Sequence, residues 1–409
     1  MKIAVVVHGR FHAFDLVRAV IERGHDVTVF TNYPAWAVGR FGVPRRHVRS
    51  FWPHGVISRA AWRVGERFRG LYPEAALHRV FGRWAAARLG KERWDVIHSW
   101  SGVAEESLRL EFTGPPVRLI MRGSAHIRAQ ARLLAEEERR TGVPQDRPSH
   151  WMIDREEREY ALADGIVVLS TFARTSFLAE GIPAERVHLL PLGARLSAFR
   201  PTPDVVEARR RRILSGAPLR VLYVGALSFR KGLRDLASVA AELGASKFDF
   251  RFVGPRPAEA APVVATLKGL VTLVPKQPQR RLTGVYAWGD LFVFPTIEDG
   301  YAQVTAQAAA SALPILTTTN CSGPDLIRDG ESGWILPIRS PQAFVERLRW
   351  CDVHREQLAG MVRRIYEEFR PRDWAEVAAD FEAICREELE ARRRDGAGDV
   401  KRTVTLTHG

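Results

Sequence analysis

The stretch Leu291–Leu316, LFVFPTIEDGYAQVTAQAAASALPIL, constrains the fold more than any other part of the chain. It reads as a buried strand over Leu291–Phe294, a turn over Pro295–Gly300, a helix over Tyr301–Ala312 and a second strand opening at Pro314. An apolar run, a helical segment and another apolar run make a βαβ unit, and the two strands of such a unit lie parallel. Ala306, Ala308, Ala309 and Ala310 keep the helix thin, so it can lie close to its sheet with its N-terminus above the strand ends. Unpaired N–H groups and the positive end of the helix dipole make that terminus a place for an anion. Glu298 and Asp299 stand just before it, and Gln303 and Gln307 share one helix face. On spacing alone, Asp299 also reads as the cap of the helix, with two solvated glutamines beside it.

The same alternation runs through most of the chain. Ile3–Val7 is a strand, a helix runs from Ala13 to Arg23, and Asp26–Phe30 is the next strand, which is how a doubly wound α/β domain begins. The turn between the first two elements, His8 to His12 with Gly9, lies at the carboxyl end of its strand, where such sheets bind ligands. Further strands are expected at Asp95–Ser99, Val117–Met121, Gly165–Leu169 and Val187–Leu190, with Ser170 capping a helix. The turn Arg122–Ile127 leaves a strand end and brings His126 toward the expected crevice. Phe199–Pro218, rich in proline and arginine, reads as a linker, after which strands resume at Leu219–Val224, Phe250–Val253 and Val271–Val274. Trp374–Leu389 has the pattern of an amphipathic helix, and the polar tail from residue 392 to 409 reads as disordered.

Residues Trp36 to Trp94 break the simple alternation. Arg59, Arg63 and Arg67 are spaced by four and form a basic stripe, while Ile57, Ala61, Val64 and Phe68 form an apolar one. Leu77, Phe81 and Trp84 against Arg79 and Arg83 repeat the arrangement. A helix of this kind either lies on an anionic membrane surface or packs its apolar stripe on its own core and leaves the arginines in water.

A chain of 409 residues suggests two domains. Three cysteines, Cys321, Cys351 and Cys385, have no metal or redox spacing, and an odd count argues against a disulfide framework. No run approaches the ~18 apolar residues of a membrane span, and the chain opens on a strand with no secretory leader, so a cytoplasmic protein, at most peripheral to a membrane, is expected. The formal charge of +14, supplied almost wholly by arginine, favours polyanionic partners. Zinc-ligand spacing, an aromatic RNA-binding signature and a helix-turn-helix pattern are all missing, so nucleic acid is not the expected partner.

Several of these motifs together resemble the retaining glycosyltransferases of family 4. Their donor-site pattern, P-S-x-x-E-G-F-G-L-x-x-x-E-A followed by small residues and P-V, is similar to Pro295, Thr296, Asp299, Gly300, Tyr301, Gln307, Pro314 and Ile315. Val224-Gly225-Ala226-Leu227-Ser228-Phe229-Arg230-Lys231-Gly232 resembles V-G-R-L-x-x-x-K-G, with Ala226 where the family has arginine. The RGSxHI form around His126, with Glu159-Tyr160 and Asp164 further on, resembles one subgroup. The resemblance implies a GT-B fold, two doubly wound Rossmann-like domains facing a central crevice. The first domain, to residue 198, would bind the acceptor and the second, 199–370, the nucleotide sugar, with a helix at 371–391 crossing back to the first.

In that architecture Asp299, or Glu298 beside it, would hold the donor hexose and Gln307 the ribose. Lys231, with Arg230 or Arg10 in place of the missing arginine, would grip the diphosphate. His126 would touch the transferred sugar, Lys276 and Gln277 would approach the base, and Gly9, Gly300, Tyr301 and Gln303 would complete the donor site. The resemblance further implies a hexosyl transfer with retention, in bacterial glycan assembly, from a UDP-, GDP- or other nucleotide diphosphate sugar to a glycan, lipid-linked or small-molecule acceptor. No Asp-x-Asp occurs, so neither a metal nor another cofactor is expected. The alternative is a non-catalytic GT-B protein that binds a nucleotide or a partner, for which Ala226 and Gln307 speak.

Overall fold

The computed structural model describes residues 1–67, 72–194 and 196–406. Two parallel sheets carry the chain. The first has strands β1 (Lys2–Val7), β2 (Asp26–Thr31), β3 (Val48–Ser50), β4 (Val96–Trp100), β5 (Val117–Arg122), β6 (Gly165–Val168) and β7 (Val187–Leu189), in the order β3-β2-β1-β4-β5-β6-β7. The second has β8 (Leu219–Val224), β9 (Phe248–Val253), β10 (Val271–Val274), β11 (Leu291–Phe294), β12 (Ile315–Thr318) and β13 (Gly333–Leu336), in the order β10-β9-β8-β11-β12-β13. Helices cover both faces, which is why strands such as β1, β4 and β11 are almost wholly buried and β11 is apolar along its whole length.

Each sheet reverses its strand order once, between β1 and β4 in the first and between β8 and β11 in the second. Crevices at the carboxyl ends of the strands flanking such a reversal are where doubly wound sheets take ligands. The loops after β1, β4, β8 and β11 are therefore the ones that the fold presents for binding.

The segment expected as a linker is mostly a helix, Pro203–Leu214, and its Val206 and Ile213 belong to the core of the second domain. Proline opens it at its first turn, where no N–H is needed. The final helix begins at Trp374 as expected but runs to Leu406, past residue 392. It is tied down there because Arg392 donates to Asp164 at 2.7 and 2.8 Å and to the Pro115 carbonyl at 2.9 Å. Trp374, Val377, Ala378, Phe381, Ile384 and Cys385 complete the core of the first domain against the helix Ala13–Glu22. Cys321, Cys351 and Cys385 are free and buried.

The helix Trp52–Arg67 does not pack the face that its pattern suggests. Ile57 is 58% exposed and Val64 47%, together with Trp52, Val56 and Trp62, and the inward face is His54, Gly55 and Ser58 instead. The reason is close approach: a Cβ on Gly55 would lie 2.2 Å from the Asn32 carbonyl oxygen, so the helix can sit there only on its smallest residue. Phe68, the last member of the apolar stripe, lies outside the described residues. In the helix Glu74–Leu89, Leu77 and Phe81 are buried and Arg79 and Arg83 exposed.

Candidate functional site

The two domains enclose a cleft of about 1260 Å³ at the carboxyl ends of the strands. From the second domain, Arg230, Lys276, Gln277, Asp299, Tyr301, Gln303 and Gln307 line it, as the sequence motifs place them together. From the first come Arg10, Phe11, His12, Asp15, Arg18, Arg40, Trp100 and Arg122. Six basic side chains thus face two carboxylates, Asp15 and Asp299, and such a wall favours an anionic ligand.

The loop after β11 is held by its own acids. Asp299 Oδ1 accepts from the Tyr301 N–H at 3.2 Å, and Oδ2 pairs with Lys231 Nζ at 2.7 Å. Asp299 is therefore not the helix cap: the helix is Gln303–Ala310, shorter than expected, and Ala302 at its start provides no side-chain cap. Its first N–H groups are left open beside Gln303 and the cleft. Lys231 reaches the site through Asp299 and also donates to the Glu298 carbonyl at 3.1 Å. Gln307 lines the cleft with its amide oxygen accepting from the Tyr286 hydroxyl at 2.9 Å, which turns its NH₂ outward as a donor.

Glu298 has a different place from the one expected for it. Its side chain is fully buried and points away from the cleft into the loop after β5. There it pairs with Arg230 at 2.5 Å and accepts from the Ser124 hydroxyl, the Ala125 N–H at 3.3 Å and Gln130 Nε2 at 3.2 Å. It joins the domains. Gly300 serves the same junction, since a Cβ there would stand 2.1 Å from the Gly123 carbonyl oxygen.

Burial would push the Glu298 carboxyl up, but Arg230, Lys231, the Ser124 hydroxyl and the Ala125 N–H hold it down to about 2. A carboxyl depressed in the folded state stabilises fully above its ordinary 4.5 and loses that contribution as pH falls toward 2. Glu298→Ala is expected to cost about 2–4 kcal/mol and roughly 5–10 °C in melting temperature at neutral pH, because Arg230 keeps partial access to water. Melting curves from pH 7 to pH 3 check this, and the gap between wild type and variant should narrow toward the acid end.

His126 is not in the cleft. It caps the helix Ile127–Thr141, with Nδ1 accepting from the Arg128 N–H at 3.3 Å, and its ring packs on Tyr160 at 5.0 Å and Phe177 at 4.9 Å. Burial lowers its pKa to about 4, so it is a neutral core residue. The nearby Glu159 is likewise internal and accepts from the N–H groups of Gly102, Ala104 and Glu105, fixing the loop after β4. The histidine that does line the cleft is His12, half-buried between Trp100 and Trp374.

Three donor-site expectations also fall short of the lining: Lys231, which meets it only through Asp299, and Ala226 and Gly9. Ala226 turns its carbonyl to the Tyr223 hydroxyl at 2.6 Å, and Gly9 donates its N–H to Asn32 Oδ1 at 2.8 Å. Both shape the loops whose neighbours, Arg230 and Arg10, reach the cleft. Arg195 lies outside the described residues. Sequence reasoning missed Arg18, Arg40 and Trp374 as lining residues: two come from outside the strand-end motifs and the third from the far end of the chain.

Residues 10–198 match the family model described as Glycosyltransferase Family 4, and residues 218–351 match that of Glycosyl transferases group 1. Among curated proteins, the chain is 27% identical over 317 residues to a D-inositol 3-phosphate glycosyltransferase of Thermobispora bispora, covering 73% of this chain and 72% of the other. It is 29% identical over 229 residues to a GDP-mannose-dependent alpha-mannosyltransferase of Mycobacterium tuberculosis, covering 54% of this chain and 58% of the other. The chain spans about half the length of most of the curated relatives it matches. Among solved structures, HepE of Anabaena in complex with UDP superimposes with a TM-score of 0.66 at 14% identity, covering 95% of this chain and all of that one. Sucrose-phosphate synthase of Thermosynechococcus elongatus gives 0.69 at 18% identity, covering 96% of this chain and all of that one. Both likenesses show the GT-B fold.

Proposed function

This chain belongs to glycosyltransferase family 4, and we propose from that premise that it moves a sugar from a nucleotide diphosphate sugar to an acceptor hydroxyl with retention of configuration. The observation that carries the reading is the convergence of Arg230, Asp299, Gln303 and Gln307 at one wall of a cationic cleft, beside an uncapped helix N-terminus, with Lys231 paired to Asp299 just behind that wall. The donor diphosphate takes up Lys231 and Arg230 and lies against the open N–H groups of the Gln303–Ala310 helix. Asp299, freed from Lys231, receives the hexose hydroxyls, Gln307 the ribose, and Lys276 and Gln277 stand toward the base.

As the bond from C1 to the diphosphate breaks, negative charge grows on the leaving oxygen, and fixed cations lower the energy of that state more than of the bound donor. The acceptor oxygen bonds to C1 from the same side, and its proton passes to the departing phosphate oxygen. Both carboxylates of the described cleft lining are ion-paired, Asp15 with Arg18 and Asp299 with Lys231, which supports a donor oxygen rather than a side chain as the base. The missing Asp-x-Asp supports a leaving group neutralised by side chains rather than by a metal. Thermal-shift screening of UDP, GDP, ADP and TDP and their sugars, with and without EDTA, tests the donor reading. A nucleotide at ~100 times its dissociation constant should stabilise by about 2.7 kcal/mol, regardless of EDTA. No shift with any nucleotide would favour the binding-protein alternative.

The reading includes work on the inner face of a membrane. Among the described residues no helix is long and apolar enough to cross a bilayer, but Trp52, Val56, Ile57, Trp62 and Val64 leave one helix with exposed apolar side chains beside exposed Arg59 and Arg63. An apolar face edged by arginine suits the boundary of an anionic lipid surface. Co-sedimentation with vesicles containing about a third anionic lipid is expected. Ile57→Ser with Trp62→Ser should reduce the bound fraction at least fivefold, and neutral vesicles should bind little. Equal binding by the double variant would remove this part of the reading.

A further inference from the structure

The donor reading leaves the opposite wall of the cleft unused. Three arginines meet there around Phe41. The Arg10 guanidinium lies 3.9 Å from the centre of the Phe41 ring, Arg18 Nη1 donates to the Phe41 carbonyl at 3.1 Å, and Arg40 precedes it in the chain. One carboxylate in the cleft serves them: Asp15, 3.2 Å from Arg18 and 3.6 Å from Arg10. Glu22 meets Arg18 Nε at 3.6 Å from outside the cleft, with its side chain 65% exposed. Arg40 lies against Trp36 at 4.8 Å and, among the described residues, has no carboxylate partner. Three cations facing one shared carboxylate leave an excess of positive charge that the protein does not neutralise.

The surroundings of these arginines point the same way. The helix Ala13–Glu22 aims its N-terminus at the same wall, and His12 at its start makes no side-chain cap. Phe11 is 66% exposed at the cleft mouth and held at φ +42°, a backbone region that a phenylalanine rarely adopts. Strain of this kind persists at sites where a side chain has to be presented. An exposed aromatic ring beside cations is a platform for the apolar face of a sugar.

We propose that the acceptor expected on the first domain carries a phosphate ester near the hydroxyl that receives the sugar, with Arg10, Arg18 and Arg40 of this wall taking the phosphate and Phe11 the sugar ring. A phosphate, with three acceptor oxygens and close to two charges, answers several guanidinium forks at once, whereas a carboxylate is satisfied by one. The proposal rests on the donor reading of the facing wall, and its test is arranged so that the two fail separately.

The protein, saturated with the nucleoside diphosphate that gives the largest thermal shift, is titrated with inorganic phosphate in a calorimeter. Saturable binding is expected, weakened at least tenfold by Arg40→Gln and by Arg18→Gln, with nucleotide affinity unchanged within twofold. Arg40→Gln removes no ion pair within the described residues and serves where Arg18→Gln disturbs folding. Phosphate binding that ignores both substitutions, or that the nucleotide abolishes, overturns the proposal. Failure of the donor reading shows itself earlier, as no nucleotide binding at all. In turnover, sugar phosphates should exceed the matching neutral glycosides at least 100-fold in kcat/KM, and Arg40→Gln should cut that ratio at least tenfold. Preference for a soluble sugar phosphate or for a lipid-linked one in detergent identifies the source, and equal rates with neutral glycosides overturn the assignment.

Discussion

Lys231→Ala is expected to lower kcat/KM for the sugar nucleotide by about 100- to 1,000-fold while leaving the melting temperature within a few degrees of wild type. Lys231 pairs at 2.7 Å with Asp299, four residues before the start of the Gln303–Ala310 helix. Its side chain keeps 20% exposure, so truncation leaves neither a buried charge nor a large cavity. A leaving diphosphate deprived of this cation loses an interaction that strengthens as charge develops, so the loss should appear mainly in kcat. Initial rates on wild type, Lys231→Ala and the exposed control Lys268→Ala decide the matter. A variant that turns over at the wild-type rate would remove Lys231 from the chemistry.

Arg209→Ala should destabilise the second domain by about 3–5 kcal/mol. The Arg209 side chain is 1% exposed and donates to the carbonyls of Ser311 at 2.7 Å, Ala312 at 2.9 Å and Tyr286 at 3.1 Å. The Ser311 and Ala312 carbonyls lie just past the Gln303–Ala310 helix, and the Tyr286 carbonyl, near the end of the Gln279–Trp288 helix, also accepts from the Gly289 N–H at 3.3 Å. Burial lowers the Arg209 pKa to about 10 against the pull of Asp290, so it remains charged at neutral pH. Truncation strands the Ser311 and Ala312 carbonyls, takes one of two donors from Tyr286 and leaves a cavity. A melting temperature about 10 °C lower, or a matching shift in urea midpoint, is the expected reading.

Arg209 also shows where the sequence ceases to be legible. Its run of four arginines after two prolines looks like a solvated linker, because charge is normally a surface property. What buries one of them is a pair of helix ends brought up from residues 286 and 311, which no local pattern records. The strands Leu219–Val224, Val271–Val274 and Leu291–Phe294 could be read to the residue, since a parallel strand covered on both faces is a continuous apolar run. The donor motifs were legible for a related reason: Arg230, Asp299, Gln303 and Gln307 lie in the loops after β8 and β11 and on the helix that follows β11, and the sheet carries those loops to one place. His126 follows a strand end too, but four residues on, after a Gly-Ser turn, its ring points into the core beside Tyr160. Arg18 on the flank of a helix and Trp374 near the chain's far end reach the cleft only through packing.

The placement of Trp374–Cys385 inside the first core means that this domain is built from two distant parts of the chain. Phe14 and Phe381 share one hydrophobic cluster across more than 360 residues of intervening chain. During synthesis the first sheet emerges complete while one side of its core is still unmade, and the second domain can fold on its own residues before that side arrives. The apolar flank of the helix Ala13–Glu22 then waits, uncovered, until the last helix leaves the ribosome. A stop codon or proteolytic cut anywhere before Trp374 would therefore do its damage at the opposite end of the molecule, in the domain synthesised first.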